Sequence, residues 1–270
     1  MSGAADAGAA LRALYQAAGG ATSVFSSKVD AYAARPDYPA ALFDALVETG
    51  VLTPGAVIAD VGAGTGRLTQ ALLQRGHAVV AVEPSDAMRA AADAQLGAMP
   101  GYRSVAGSAE ATTLPDSSVD LVTAAQAFHW FDIDGARREF LRILKPHGQV
   151  ALIWNDRWLS DPLQAALDEL FGEFGGAKRA AMLAAEDRSR VPLFFAAAPI
   201  REIAVPHAHR LDRAGLRALV FSRSYMPATE SPLGADVQRR VDAVFDRFAD
   251  ADSGAVVVRY RTVAFTGSLA

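Results

Sequence analysis

The stretch VIADVGAGTGRLT, Val57 to Thr69, constrains this chain more than any other. A short β-branched run, Val57 to Val61, carries Asp60. Glycine then stands at every second position, Gly62, Gly64 and Gly66, and an apolar run from Leu68 to Gln74 reads as a helix. Glycines at a strand-to-helix turn let the backbone reverse sharply and let a ligand come within contact distance of it. A dinucleotide fold shows G-x-G-x-x-G at this place. Here Arg67 holds the position of that third glycine, and Gly66 comes one residue early. Glu83 ends the next strand pattern, where an acid is placed to accept hydrogen bonds from ribose hydroxyls. A strand, an Asp, alternating glycines, a helix and a second strand ending in an acid together point to a nucleoside-binding unit and away from a plain turn.

The neighbouring patterns agree. Pro39 suits a first helical position before the stripe Leu42, Phe43, Leu46 and Val47. Strand patterns at Ala78–Val82, Tyr102–Val105, Val119–Ala124 and Gln149–Trp154 alternate with helices capped by Ser85 and Asp132. Continuous apolar strands between amphipathic helices imply a parallel sheet covered on both faces, an α/β doubly wound fold. The rest reads as a helix over Asp161–Phe174 ended by a Gly-Gly break, a strand at Ile200–Val205, helices over Leu211–Phe221 and Ala235–Ala249, and a strand at Ala255–Phe265. Residues 1–22, rich in Ala and Gly, read as a flexible leader, with a short helix over Ala9–Ala18 as the alternative. Residues 23–270 read as a single domain.

Composition narrows the function. Half of the 270 residues are hydrophobic and there is no cysteine, which removes disulfides and thiol chemistry. The net charge is −4, with no basic stripe, which argues against a nucleic-acid partner. No signal peptide and no apolar run long enough to span a bilayer is visible, so a cytoplasmic protein without a membrane partner is expected.

These motifs resemble those of the class I S-adenosylmethionine-dependent methyltransferases, type 11 branch. Asp60 to Gly66 looks like their first motif and Glu83 like their ribose-binding acid. Gly107 to Glu110 and LPDSSVDLV, Leu114 to Val122, resemble the adenine loop and fourth strand. AQAFHWFD, Ala125 to Asp132, and VDAYAARPDYP, Val29 to Pro39, resemble segments of the trans-aconitate methyltransferase-like sub-branch. The resemblance implies a Rossmann-like, seven-stranded, mostly parallel sheet with an antiparallel last strand and an added helical cap. It implies a lid over about residues 23–40 and a substrate-side insertion over about 156–235. The cofactor it implies is S-adenosylmethionine, with S-adenosylhomocysteine as product. By the same resemblance, Gly62, Gly64 and Gly66 lie against the cofactor's amino-acid part, Asp60 orients that loop, and Glu83 holds the ribose beside Pro84. Ser108, Ala109 and Glu110 border the adenine, Ser108 standing where many relatives have Asp. Gln126 sits near the methionine portion. Tyr32 and Arg35 come from the lid, with Arg35 set to meet the carboxylate.

The acceptor is expected to be a small molecule. His129, just after the fourth strand, is the candidate general base, with an ordinary pKa suited to proton transfer. The alternative is a packed histidine satisfied by a backbone carbonyl. Trp130 and Trp154 are candidate pocket walls or core, Tyr225 is a candidate substrate contact, and Asn155 either bonds substrate or turns the chain. His207 and His209 lack a third ligand, so no metal is expected. Two rival functions remain open here: a cofactor-binding protein without turnover, and an NAD(P)-dependent oxidoreductase. The glycine spacing is wrong for the second, and none of the three lysines lies four residues after a tyrosine. Oligomeric state and acceptor atom are not legible.

Overall fold

The structure, a computed structural model, describes residues 3–16, 20, 29–32, 34–196 and 198–269. Its centre is a seven-stranded sheet in the order β3-β2-β1-β4-β5-β7-β6. The strands are β1 (Val57–Val61), β2 (Ala78–Val82), β3 (Tyr102–Val105), β4 (Val119–Ala125), β5 (Leu144–Arg157), β6 (Arg201–Leu211) and β7 (Val256–Gly267). From β3 across to β5 all pairings are parallel, whereas β7 runs antiparallel to both β5 and β6. The sheet is therefore mostly parallel with an antiparallel last strand, as expected.

Both faces are buried, which is why the first strands are apolar throughout rather than alternating. One face carries Ile58, Val79, Leu121, Ala151 and Ile153 against helix α3 (Ala40–Glu48) and helix α4 (Arg67–Leu73). The other carries Val61, Val82, Val122, Leu152 and Trp154 against α6 (Ile133–Ile143) and α8 (Arg190–Phe195). Alternate residues of each strand supply the two faces. The expected caps are in place: Ser85 accepts from the Met88 amide at the start of α5 (Asp86–Leu96), and Asp132 from the Gly135 amide at the start of α6.

A third apolar cluster forms a helical cap. It joins α7 (Pro162–Ala185), α9 (Arg213–Phe221) and α10 (Pro232–Phe248) over the Val256, Val258 and Tyr260 end of β7. The Gly-Gly break falls where expected and divides α7 into two helical pieces. Gly176 leaves helical geometry at φ 51°, ψ −145°, and the chain resumes a second helical piece to Ala185. Gly176 tolerates that conformation because it has no Cβ. Strands β5 and β6 also extend past their expected limits. In β5 the ladder jumps from Leu144 to Gln149, with His147 at φ 68° absorbing the irregularity.

The amino-terminal reading is corrected. Where a flexible leader was expected, Gly3–Gln16 forms helix α1, with Leu11 and Tyr15 fully buried against Met182, Ala185, Trp130 and Tyr225. The i, i+4 spacing of Leu11 and Tyr15 makes one apolar stripe, and the cap supplies the surface it needs. Residues 1–2, 17–19 and 21–28 lie outside the described residues, and with them the part of the expected lid that precedes α2 (Val29–Tyr32). Leu11→Ala is expected to lower unfolding stability by about 2–4 kcal/mol in urea titration, as for other buried leucines. A value near zero would restore the frayed leader.

Candidate active site

Sheet order alone creates a crevice. The chain leaves β1 towards β2 and β3, then returns to place β4 on the other side of β1, so the loops after β1 and β4 diverge. Doubly wound folds hold ligands at this switch point. A cavity of about 260 Å³ lies there, bordered by the β1 loop, Glu83, the β4 exit and the cap.

Asp60 fastens the loop. It is 1% exposed, and its two oxygens accept from the Thr69 hydroxyl of α4 (2.6 Å) and the Thr123 hydroxyl of β4 (2.9 Å). Burial pushes its pKa up to about 6, with the two threonine hydrogen bonds acting the other way. The loop then folds back on β2, the Gly62 amide donating to the Val82 carbonyl at 2.8 Å. Glu83 completes the link. Its carboxylate accepts from the Gly64 amide and the Ser85 amide, each at 2.9 Å. Burial raises its pKa, and those amides oppose the rise.

The loop glycines differ in role. All three have positive φ. A Cβ on Gly62 would fall 2.6 Å from the Ala127 Cβ, and one on Gly66 would fall 2.5 Å from Leu96 Cδ1. A Cβ on Gly64 would meet nothing within 4 Å. Gly64 borders the cavity, so its missing side chain leaves room for a ligand against the backbone. Glu83 stands beside it, and each carboxylate oxygen keeps a second lone pair for a hydroxyl. These features fit a nucleoside cofactor.

Further round the rim, Pro84, Ser108, Ala109 and Glu110 border the cavity. The Ser108 hydroxyl accepts from the Glu110 amide (3.3 Å), and the Glu110 carboxylate accepts from the Asp132 amide (2.9 Å). Gln126, at φ 55°, ends β4 in a conformation uncommon for a residue with a side chain. Its amide donates to the Ile153 carbonyl, and its side chain reaches the Asn155 carbonyl at 3.4 Å.

Opposite the glycine loop, Tyr32, Arg35, His129, Trp130, Asn155 and Tyr225 line the same cavity. His129 is 5% exposed, in a 3₁₀ turn over Phe128–Trp130, and its buried Nδ1 has no hydrogen-bond partner among the described residues. Burial lowers its pKa to about 4. Arg35 donates from Nε and Nη2 to the hydroxyl and carbonyl of Ser222, at 2.7 and 2.8 Å. Burial, then nearby Arg223, lowers its pKa.

One expected wall is misplaced. Trp154 is 2% exposed in the core, between Phe128 and Phe265 with Arg188 4.0 Å over its ring, and it does not border the cavity. Strand alternation is the reason: its neighbour Asn155 takes the cavity side, so Trp154 must take the other face. His207 packs beside Tyr260 and His209 Nε2 lies 3.1 Å from the Ala34 carbonyl, and neither histidine itself borders the cavity. Sequence reasoning missed Met182, Glu186, Arg223, Ser224 and Tyr260, which line the cap side of the cavity. Met182 and Glu186 lie beyond the apparent Gly-Gly stop. The strand pattern of Ala255–Phe265 was the available signal for Tyr260.

Residues 59–152 match the model of a methyltransferase domain family. The chain is 34% identical over 253 residues to an uncharacterised methyltransferase of Mycobacterium tuberculosis, covering 91% of this chain and 96% of the relative. A methyltransferase-like protein of Schizosaccharomyces pombe is 35% identical over 146 residues, covering 54% of this chain and 56% of that one. A solved structure of a candidate type II methyltransferase from Anaeromyxobacter dehalogenans superposes with a TM-score of 0.61 at 25% identity, over 87% of this chain and 98% of that one.

Two outcomes are expected. Gly64→Ala should fold, at a cost of about 1 kcal/mol for its left-handed backbone, yet lose most nucleoside binding. Gly62→Ala should cost more stability because of the Ala127 contact, so chemical denaturation separates the two. Separately, His129 has a lowered folded pKa, so the unfolded chain binds the extra proton between about pH 6.5 and 4, and stability is full above that window and is lost as pH drops through it. His129→Asn should remove up to about 1.4 kcal/mol per pH unit of that slope, measured by urea titration at several pH values.

Proposed function

The chain belongs to the class I S-adenosylmethionine-dependent methyltransferases, and from that premise we propose that it methylates a small-molecule acceptor held between the β4 exit and the helical cap. The observation that carries this reading is the cavity itself, which Gly64 and Glu83 line together with His129, Trp130 and Tyr225. When bound, S-adenosylmethionine supplies a methyl group already activated by its sulfonium sulfur. The protein's task is alignment and exclusion of water.

Glu83 holds the ribose hydroxyls through its free lone pairs. Asp60 fixes the glycine loop against the amino-acid part, while Pro84, Ser108, Ala109 and Glu110 border the adenine. The Ser108 hydroxyl already accepts from the Glu110 amide, which favours backbone carbonyls of this loop as the acceptors for the adenine amino group. Gln126, Tyr32 and Arg35 face the methionine portion. With Nε and Nη2 of Arg35 committed to Ser222, Nη1 is left to meet a carboxylate.

On the acceptor side, burial keeps the His129 imidazole neutral at ordinary pH and makes it a weaker base than a free imidazole, so the proton it accepts is an acidic one, from a phenol or an activated carbon. Trp130 and Tyr225 supply aromatic walls, and Trp130 presents a π face suited to a cation. Among the described residues no helix is long and apolar enough to cross a membrane.

Calorimetric titration with S-adenosylmethionine, S-adenosylhomocysteine and NADH tests the cofactor half. Micromolar binding of the two sulfur nucleosides and none of NADH is expected. Glu83→Gln should weaken the sulfur nucleosides at least tenfold, about 1.4 kcal/mol or more, since it loses a charged hydrogen-bond acceptor. Unchanged affinity in that variant would remove Glu83 from the ribose.

A further inference from the structure

Arg190 is 2% exposed, the largest of the fully buried side chains. A guanidinium at such a place carries a desolvation cost that only hydrogen bonds or a counter-charge offset. Its partners are backbone carbonyls of the turn that holds His129. Nη2 donates to the Phe131 carbonyl at 2.9 Å and Nη1 to the His129 carbonyl at 3.4 Å, with Cζ 5.6 Å from the Phe128 ring. Asp132 is the carboxylate acting on it. Arg12 of α1 reaches the same turn, Nη1 donating to the Trp130 carbonyl at 3.1 Å and the Phe131 carbonyl at 3.0 Å. The turn is a single 3₁₀ winding after which Phe131 leaves helical geometry, so its last carbonyls have no helical partner. Two arginines supply the donors for three consecutive carbonyls.

The rest of α1 is fitted to this arrangement. Gly8 lies against Arg190, and a Cβ there would fall 2.9 Å from Nη2. Tyr15 packs edge-on to Trp130, with ring centroids 5.1 Å apart, and its hydroxyl donates to the Ser224 Oγ at 2.9 Å. Leu11 and Tyr15 share a buried cluster with Met182. Trp130, Ser224 and Met182 all border the cavity, while none of the described side chains of α1 does.

We infer that helix α1 and Arg190 form a strap that positions the His129–Phe131 turn, Arg12 and Arg190 acting as positioning residues for the acceptor side of the site. This rests on the reading of His129 as an acceptor-side group. Among the described residues Arg12 and Arg190 make no hydrogen bond to the glycine loop or to Glu83, so the strap acts first on the acceptor half. Plain packing would be served as well by an uncharged side chain. The fork of carbonyl hydrogen bonds specifies where the turn sits.

Backbone hydrogen exchange and the imidazole ¹⁵N resonances of His129, assigned by their loss in His129→Asn, test this in the full chain. In Arg190→Met and in Arg12→Met, exchange over residues 128–132 should speed up at least tenfold and the His129 signals should shift. Exchange in β1, α4 and β2 should stay as in the parent, as should S-adenosylhomocysteine affinity, within twofold. Arg12→Lys should restore part of the protection that Arg12→Met loses. Unchanged exchange and unchanged signals in both methionine variants would overturn the strap, as would acceleration spread evenly over the sheet. If Arg190→Met does not fold, the half-buried Arg12 pair decides alone. Failure of the parent to bind S-adenosylhomocysteine would count against the methyltransferase reading, and the exchange pattern would still judge the strap.

Discussion

The carboxylate of Asp60 is the point on which this architecture turns. It is buried in the middle of the sheet and takes hydroxyl hydrogen bonds from both sides, one from α4 and one from β4. A bare carboxylate there would be costly, and its raised pKa records that cost. Thr69 and Thr123 make the position tenable. In doing so they fix the first strand, the first crossover helix and the fourth strand relative to one another. The glycine loop hangs from that junction. Its approach to β2, and the reach of the Gly64 amide to Glu83, follow from the position of Asp60.

From that junction the molecule divides into two halves with different physics. The cofactor half is made of backbone: amides and carbonyls at strand ends, glycines at positive φ, and two acids that order them. Such a surface accepts little variation, because a Cβ at Gly62 strikes Ala127. The acceptor half is made of side chains from distant segments, brought together by helices packed over the β7 end of the sheet. It is aromatic and includes Arg35, Arg223, Glu186 and His129. In a half assembled this way side chains can be replaced without disturbing the glycine loop.

Burial explains the electrostatics of the acceptor half. His129 is kept neutral by desolvation. Among the charges, Glu186 favours its protonation, while Arg188, Arg190 and Arg35 oppose it. The same carbonyl-rich turn that presents its ring is tied from behind by Arg12 and Arg190. The amino-terminal helix is thereby part of the scaffold of the site, through a stripe of Leu and Tyr and one arginine set among alanines and glycines.

The sequence by itself determined the sheet, its covered faces and the cofactor loop. Those features are local: strand, glycine spacing, capping residue and helix occupy adjacent positions, so the pattern and the structure are nearly the same thing. The seven-strand count and the antiparallel last strand came from the family resemblance to Asp60–Gly66 and its neighbours. Only the tertiary structure decided which face of β5 looks into the cavity, putting Asn155 there and Trp154 in the core, because alternation is visible in sequence but its phase is set by what packs on each side. It also decided that α7 continues past Gly176 to deliver Met182 and Glu186, and that α1 is held in place. Each of these depends on contacts between residues far apart in the chain: Tyr15 with Ser224, Arg12 with Trp130, Arg190 with Phe131. No local pattern encodes which distant carbonyl a buried arginine will find.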